Sequence, residues 1–305
     1  MIPVIRLEKL LGSTEIKKKF KDYELSRRDT VSVLILSNEL SVLPNKWEGR
    51  VGFYDEEKNS PELSDPTIPV SRYVIQNDNV VRMLRFSWVL RRLSSYRGNP
   101  LVLDIGSSDG GLLETLYRNY CTHIKYIGIE LSRSRAIKSG NINPSFPFVV
   151  LVKDVTTCIP LNDKSVDVCV MLEILEHFDE GSGIRLLDEA IRVTKNEGEI
   201  LLSTPNGIFS GGHKWHAFEW PRDQLLKLFE EKKLEVKEDI CLCICPNQDK
   251  IMKHFPGKFD FTINKYKEFA RIYPKIIAAT MFPDCPDIAL SNGYVLRLKK
   301  GETND

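Results

Sequence analysis

No run of about 18 apolar residues occurs in this 305-residue chain, so no segment reads as a membrane-spanning helix. The opening Met1-Ile-Pro-Val-Ile-Arg6 is too short an apolar stretch, too soon followed by charge, to read as a secretion signal. Net charge is only +1, so no global field draws in nucleic acid, and a basic surface could only be local. Cysteine numbers seven, an odd count with no framework spacing, which excludes a disulfide scaffold and predicts reduced thiols in a cytoplasmic protein. Histidine is scarce: of five in all, three fall between positions 177 and 216, where chemistry is therefore sought first. What is present, 42% apolar and 28% charged residues, suits a globular protein with a substantial core.

Residues 1–76 show no clear period and read as an N-terminal extension or cap, with a basic patch at Lys17-Lys-Lys-Phe-Lys21 and Arg27-Arg28. Asn77 or Asp78 can cap a helix in which Met83, Phe86, Leu90 and Leu93 share a face, with Arg85 and Arg92 opposite. Apolar strand patterns then alternate with helical ones. Strands are expected at 101–105, 125–130, 148–152, 167–172 and 198–203, and helices at 110–120, 132–139, 181–194 and 221–233. That alternation predicts a parallel sheet with helices on both faces. A sixth strand is expected at 234–245 and a closing edge strand at 292–299, with an insertion over 247–288 that interleaves lysines and aromatics. Residues 77–305 thus read as one domain. A lid with a solvated lysine face and buried rings is the expectation for the insertion; aromatic stacking on bases is the alternative. Cys241, Cys243 and Cys245 alternate along a strand and read as small core residues, since a metal site would need a fourth ligand and usually C-x₂-C spacing.

The most informative segment is Leu101-Val-Leu-Asp-Ile-Gly-Ser-Ser-Asp-Gly110: an apolar strand, then Asp104, then a glycine turn opening a helix. A second apolar run, Tyr126-Ile-Gly-Ile129, ends in Glu130, an acid placed to accept hydrogen bonds from both hydroxyls of a ribose. The turn reads Gly106-x-x-x-Gly110-Gly111, not G-x-G-x-x-G, and Asp104 and Asp109 would repel a pyrophosphate. A ligand carrying an ammonium group beside its ribose would be accepted. Over roughly 79–246 the chain resembles class I S-adenosylmethionine-dependent methyltransferases, whose first motif is acid-x-Gly-x-x-x-Gly. The resemblance implies a Rossmann-like seven-stranded α/β sheet. It also implies that turn N–H groups from Gly106, Ser107, Asp109 and Gly110 face the methionine carboxylate, with Asp104 at the amine. Glu130 and Leu131 would then lie at the ribose, Asp154 and Val155 at the adenine, and Glu173 at the end of the fourth strand.

A second group follows the fourth strand. If Glu173-Ile-Leu-Glu176-His177 is helical, both acids and the imidazole lie on one face, half of a divalent metal site. Ser203-Thr-Pro-Asn206 ends the fifth strand and leads to His213-Lys-Trp-His216-Ala-Phe-Glu-Trp-Pro-Arg222. These short segments resemble the small-RNA 3′-terminal 2′-O-methyltransferases. That resemblance implies a metal set of Glu173, Glu176, His177 and His216 and a ribose 2′-hydroxyl acceptor, with Mg²⁺ or Mn²⁺ in attendance. The expected activity is methyl transfer from S-adenosylmethionine to a hydroxyl, with Glu176, His177 and His216 as catalytic candidates. The alternatives are a metal-independent enzyme acting on a small molecule of quinone, sugar or lipid type, and a non-catalytic binding protein on the same fold. No partner protein can be inferred.

Overall fold

The computed structural model describes residues 32–34 and 77–298, apart from 120, 122, 133–134, 137–138, 140–145, 147, 157, 213–214 and 274, and apart from the side chains of 32–34, 77–79 and 276. Eight strands form one sheet: β1 (Ser32–Leu34), β2 (Leu101–Ile105), β3 (Lys125–Glu130), β4 (Phe148–Val152), β5 (Val166–Leu172), β6 (Thr194–Pro205), β7 (Leu234–Ile244) and β8 (Ala289–Leu298). Their order is β1-β4-β3-β2-β5-β6-β8-β7. Every pair from β1 to β6 is parallel, and β8 inserts antiparallel between β6 and β7. The seven expected strands are present, but the last, expected as the closing edge strand, lies inside the sheet, and β7 forms that edge. The eighth, β1, comes from the region read as an extension and pairs with β4 at the sheet edge.

The central strands are continuous apolar runs because both faces are covered. Leu101, Leu103 and Ile105 of β2 point to one side, with α3 (Glu180–Val193) and α4 (Arg222–Glu231). Val102 points to the other, with α1 (Asn77–Ser94) and α2 (Gly111–Arg118). Strand order reverses at β2, which runs outward through β3 and β4 on one side and through β5 and β6 on the other. The carboxyl ends of β2 and β5 therefore border a crevice, the usual ligand position in such sheets.

Two details depart from the periodicity. On α1 the buried residues are Val81, Trp88, Val89 and Leu93, while Met83 is half exposed. Arg85 and Arg92, expected on the opposite face, reach inward: Arg92 pairs with the fully buried Glu199 of β6, and Arg85 with Glu173. Their partners lie far along the chain, so hydrophobicity alone misplaces the helix. The expected helix at 132–139 falls partly outside the described residues.

The insertion folds as α5 (Gln248–His254), α6 (Asp260–Ile272) and α7 (Lys275–Ala279). These pack on Cys241–Cys245, with Ile263 and Tyr266 buried and Phe255, Phe259 and Phe269 partly so. Burial pushes the Cys241, Cys243 and Cys245 thiols up, as befits unreactive core residues. Among the described residues, no helix is long and apolar enough to cross a membrane.

Candidate functional site

A cavity of about 250 Å³ opens at the carboxyl ends of β2–β5. Its wall includes Asp104, Gly106, Ser107, Glu130, Leu131, Asp154, Val155, Glu173 and His177, all named from the sequence. Asp109 and Gly110 are not in the wall; Asp109 is instead ion-paired with Arg82 at 3.0 Å. The acids are matched by Arg82, Arg85, Arg135 and Lys153, four cations lining the same cavity. Such a balance suits a zwitterion better than a polyanion.

The turn is built tightly. Gly106 (φ 76°) and Gly110 (φ 86°) take left-handed conformations, and a Cβ on Gly106 would meet Ile174 Cδ1 at 2.6 Å. Asp104 is buried and accepts a hydrogen bond from the hydroxyl of Tyr126. Gly128, directly opposite Asp104 in the β2–β3 ladder, makes room for this: a Cβ there would crowd Ser107 Oγ at 2.8 Å and the Tyr126 ring at 3.2 Å. Burial raises the Asp104 carboxyl to about 7, with the Tyr126 hydrogen bond opposing and the Glu130 charge adding to it. Glu130 is likewise raised by burial, against hydrogen bonds donated by Ser132 N and Ser108 N, each 2.8 Å long. Asp154 Oδ1 accepts from Thr156 N and Thr156 Oγ1.

One expectation is corrected here. The turn N–H groups of Gly106 and Ser107 donate to Ile129 O, that of Ser108 to Glu130, and that of Gly110 to Ser107 O. Three of the four N–H groups expected to face a carboxylate, those of Gly106, Ser107 and Gly110, thus satisfy the chain itself. The guanidinium groups of Arg82 and Arg85, supplied by α1, were not anticipated because nothing local in the sequence ties α1 to the turn.

At the other end of the cavity, residues 173–177 are not one helix. Glu173 (φ 51°) is left-handed, a strained conformation for a side-chain-bearing residue, and Leu175–His177 form a single 3₁₀ turn. Glu173 Oε1 accepts from Ser203 Oγ (2.9 Å) and Ser291 Oγ (3.1 Å), and Oε2 lies 3.4 Å from Arg85. It is thus drawn away from the set it was expected to join. Glu176, His177 and His216 do converge: one ligand atom from each lies within 4.8 Å of the others. The imidazoles meet edge to face, with ring centroids 5.3 Å apart. Glu176 is fully buried and accepts from Thr204 Oγ1 at 3.2 Å; burial, then the Glu173 charge, push its carboxyl well above the usual range. The His216 loop is docked by Ala217 N, which donates to Glu176 O at 2.7 Å. His177 Nδ1 lies 3.2 Å from Trp215 O, and His216 Nδ1 contacts Glu219 Oε1. His213 lies outside the described residues.

Residues 103–202 match the family described as a methyltransferase domain. A protein of Mycobacterium tuberculosis described as a probable S-adenosylmethionine-dependent methyltransferase is 32% identical over 95 residues, 29% of this chain and 34% of that protein. A Mycolicibacterium smegmatis protein of the same description is 27% identical over 165 residues, 51% of this chain and 60% of that one. The matched region therefore spans about a third to three-fifths of these relatives. The fold is similar to the methyltransferase in the Haloferax volcanii complex with the Trm112 methyltransferase activator, at TM-score 0.54 and 14% identity over 86% of this chain and 100% of that one.

Proposed function

We infer that this chain, a class I S-adenosylmethionine-dependent methyltransferase, methylates a hydroxyl presented to the Glu176–His177–His216 cluster, the acceptor being a ribose 2′-hydroxyl at an RNA terminus. The observation that carries this reading is the convergence of those three side chains beside a cavity that His177 lines together with Asp104, Glu130 and Asp154.

The cavity fits the methyl donor. Ser107 Oγ is buried and has no hydrogen-bond partner among the described residues, and Gly106, where a Cβ would strike Ile174, leaves backbone at the cavity wall. Each Glu130 oxygen accepts one backbone N–H and keeps a further lone pair for a ribose hydroxyl. Asp104 would hold the amine, Asp154 and Val155 the adenine, and the α1 guanidiniums would draw the carboxylate. When bound, S-adenosylmethionine supplies an electrophilic methyl on sulfonium. The acceptor oxygen would take that methyl, sulfur keeping the electron pair of the C–S bond, and an imidazole of the cluster would accept the acceptor's proton.

Glu176, His177 and His216 would also hold Mg²⁺ or Mn²⁺, two imidazoles tilting the preference toward Mn²⁺. Such an ion would acidify the acceptor hydroxyl. One feature favours a second, metal-free reading on a small molecule: burial and the Glu173 charge push the Glu176 carboxyl well above its usual range, as suits an acid–base group. The seven thiols, none of them in a disulfide, support a cytoplasmic setting.

The test is transfer of tritiated methyl to RNA oligomers with an intact 3′-terminal ribose, to the same oligomers after periodate oxidation, and to a small-molecule extract. Label confined to intact RNA supports the reading. Label in the extract alone moves the acceptor to the second reading, and none anywhere contradicts methyl transfer.

A further inference from the structure

Glu219 lies in none of the roles above, yet it is a hub of the acceptor end. Its side chain is nearly buried; it contacts His216 Nδ1 and accepts from Ser210 Oγ and from Gly212 N at 3.1 Å. Gly211 (φ 84°) and Gly212 (φ 76°) are both left-handed, which turns the backbone so that Gly212 N faces this carboxylate.

The loop around it is anchored on both sides. Gly207 N donates to Trp220 O at 3.0 Å, and a Cβ on Gly207 would strike Glu219 O at 2.3 Å. Phe209 is buried between the rings of His254 and Phe255 of the insertion, and Lys250 Nζ donates to Phe209 O at 3.3 Å. A carboxylate fixed in this way cannot follow the imidazole; the imidazole must adapt to it.

We propose that Glu219 is a positioning residue that holds His216 as its Nδ1–H tautomer, so that Nε2 presents its lone pair to the acceptor end. An ionised carboxylate can only accept, so the proton belongs on Nδ1. The same logic applies at His177, whose Nδ1 faces the carbonyl of Trp215, another group that only accepts. Two imidazoles of like tautomer, one set by a side chain and one by the backbone, then turn the same nitrogen to the cluster. The proposal rests on the reading that His216 serves the acceptor end. It holds whether Nε2 takes a proton or a metal ion.

The test is long-range ¹H–¹⁵N correlation spectroscopy of the whole chain, selectively ¹⁵N-labelled at its five histidines, at pH 8 and without metal. His216→Gln identifies the signal. The wild type should show His216 as the Nδ1–H tautomer, and Glu219→Gln, which can also donate, should shift it toward a mixture that Glu219→Asp partly restores. An Nε2–H or doubly protonated His216 in the wild type, or an unchanged tautomer in Glu219→Gln, overturns the proposal. The wild-type spectrum decides alone if the variants fail to fold by circular dichroism. Titration of wild type and Glu219→Gln with Mn²⁺ adds a second readout, expected to weaken by about 10- to 100-fold. Wild type that shows the expected tautomer but takes up no Mn²⁺ supports the positioning role and counts against the metal reading alone.

Discussion

At one end of the cavity, three acids stand at the carboxyl ends of three adjacent parallel strands. At the other, a 3₁₀ turn and a loop after β6 bring Glu176, His177 and His216 together, while the antiparallel β8 holds Glu173 through Ser291. The first end is made by local chain order: strand, acid, turn. The second exists only once β5, β6 and β8 have paired, because Glu173 is held by Ser203 and Ser291, and Glu176 by Thr204. A cofactor end built into the sheet should tolerate damage to the loops. An acceptor end built from loops should depend on every member.

The widest separation between the ends is expected for His216→Ala. Methyl transfer should fall by about 10² to 10⁴, the range for loss of an acid–base group, while S-adenosylhomocysteine affinity by calorimetry stays within about twofold. Loss of that affinity would show that the two ends are not separate. Next is Glu130→Ala, which removes a charged acceptor and leaves the N–H groups of Ser108 and Ser132 without it. S-adenosylhomocysteine affinity should drop by about 100-fold or more, at up to about 3 kcal/mol for each charged hydrogen bond.

A smaller effect comes from pH. Asp104, raised to about 7, must ionise to hold the ligand amine, so affinity should rise about tenfold from pH 6 to pH 8 and level off above. Asp104→Asn should flatten that profile. Because the folded-state value is raised, the stability this carboxyl gives the ligand-free protein is present below pH 4 and is lost as pH rises to about 7. Thermal unfolding of wild type against Asp104→Asn should show a difference that grows as pH rises through that window and is constant above it.

The smallest effect is expected at Phe261, 76% exposed on α6. Phe261→Ala should change stability by no more than about 0.5 kcal/mol. A loss of about 1–3 kcal/mol in RNA affinity by fluorescence anisotropy would instead make this ring a stacking platform and place the insertion at the acceptor end.

The sheet was legible because apolar runs ending in Asp104 and Glu130 carry both strand and ligand signals in neighbouring residues. The strand Ser32–Leu34 was not: three residues in a segment without period offer nothing to count, and only pairing with β4 makes them a strand. The same contrast runs through the site. Glu176, His177 and His216 were named from short motifs, and the fold brings them together. Glu173 was named with them from the same motifs, with a helical turn as the supporting premise. The left-handed turn at its own backbone sends its carboxylate to two serines, one of them more than a hundred residues away in β8. Tyr126 beside Asp104 was hidden for a related reason: strand periodicity places a tyrosine on a face but does not say which acid its hydroxyl meets.

The account depends first on the cofactor end, and isothermal titration of S-adenosylhomocysteine into the wild-type chain and into Glu130→Ala tests it most directly. The wild type should bind one equivalent and the variant should lose about 100-fold or more in affinity. A wild type that does not bind, or a variant that binds equally well, would contradict it.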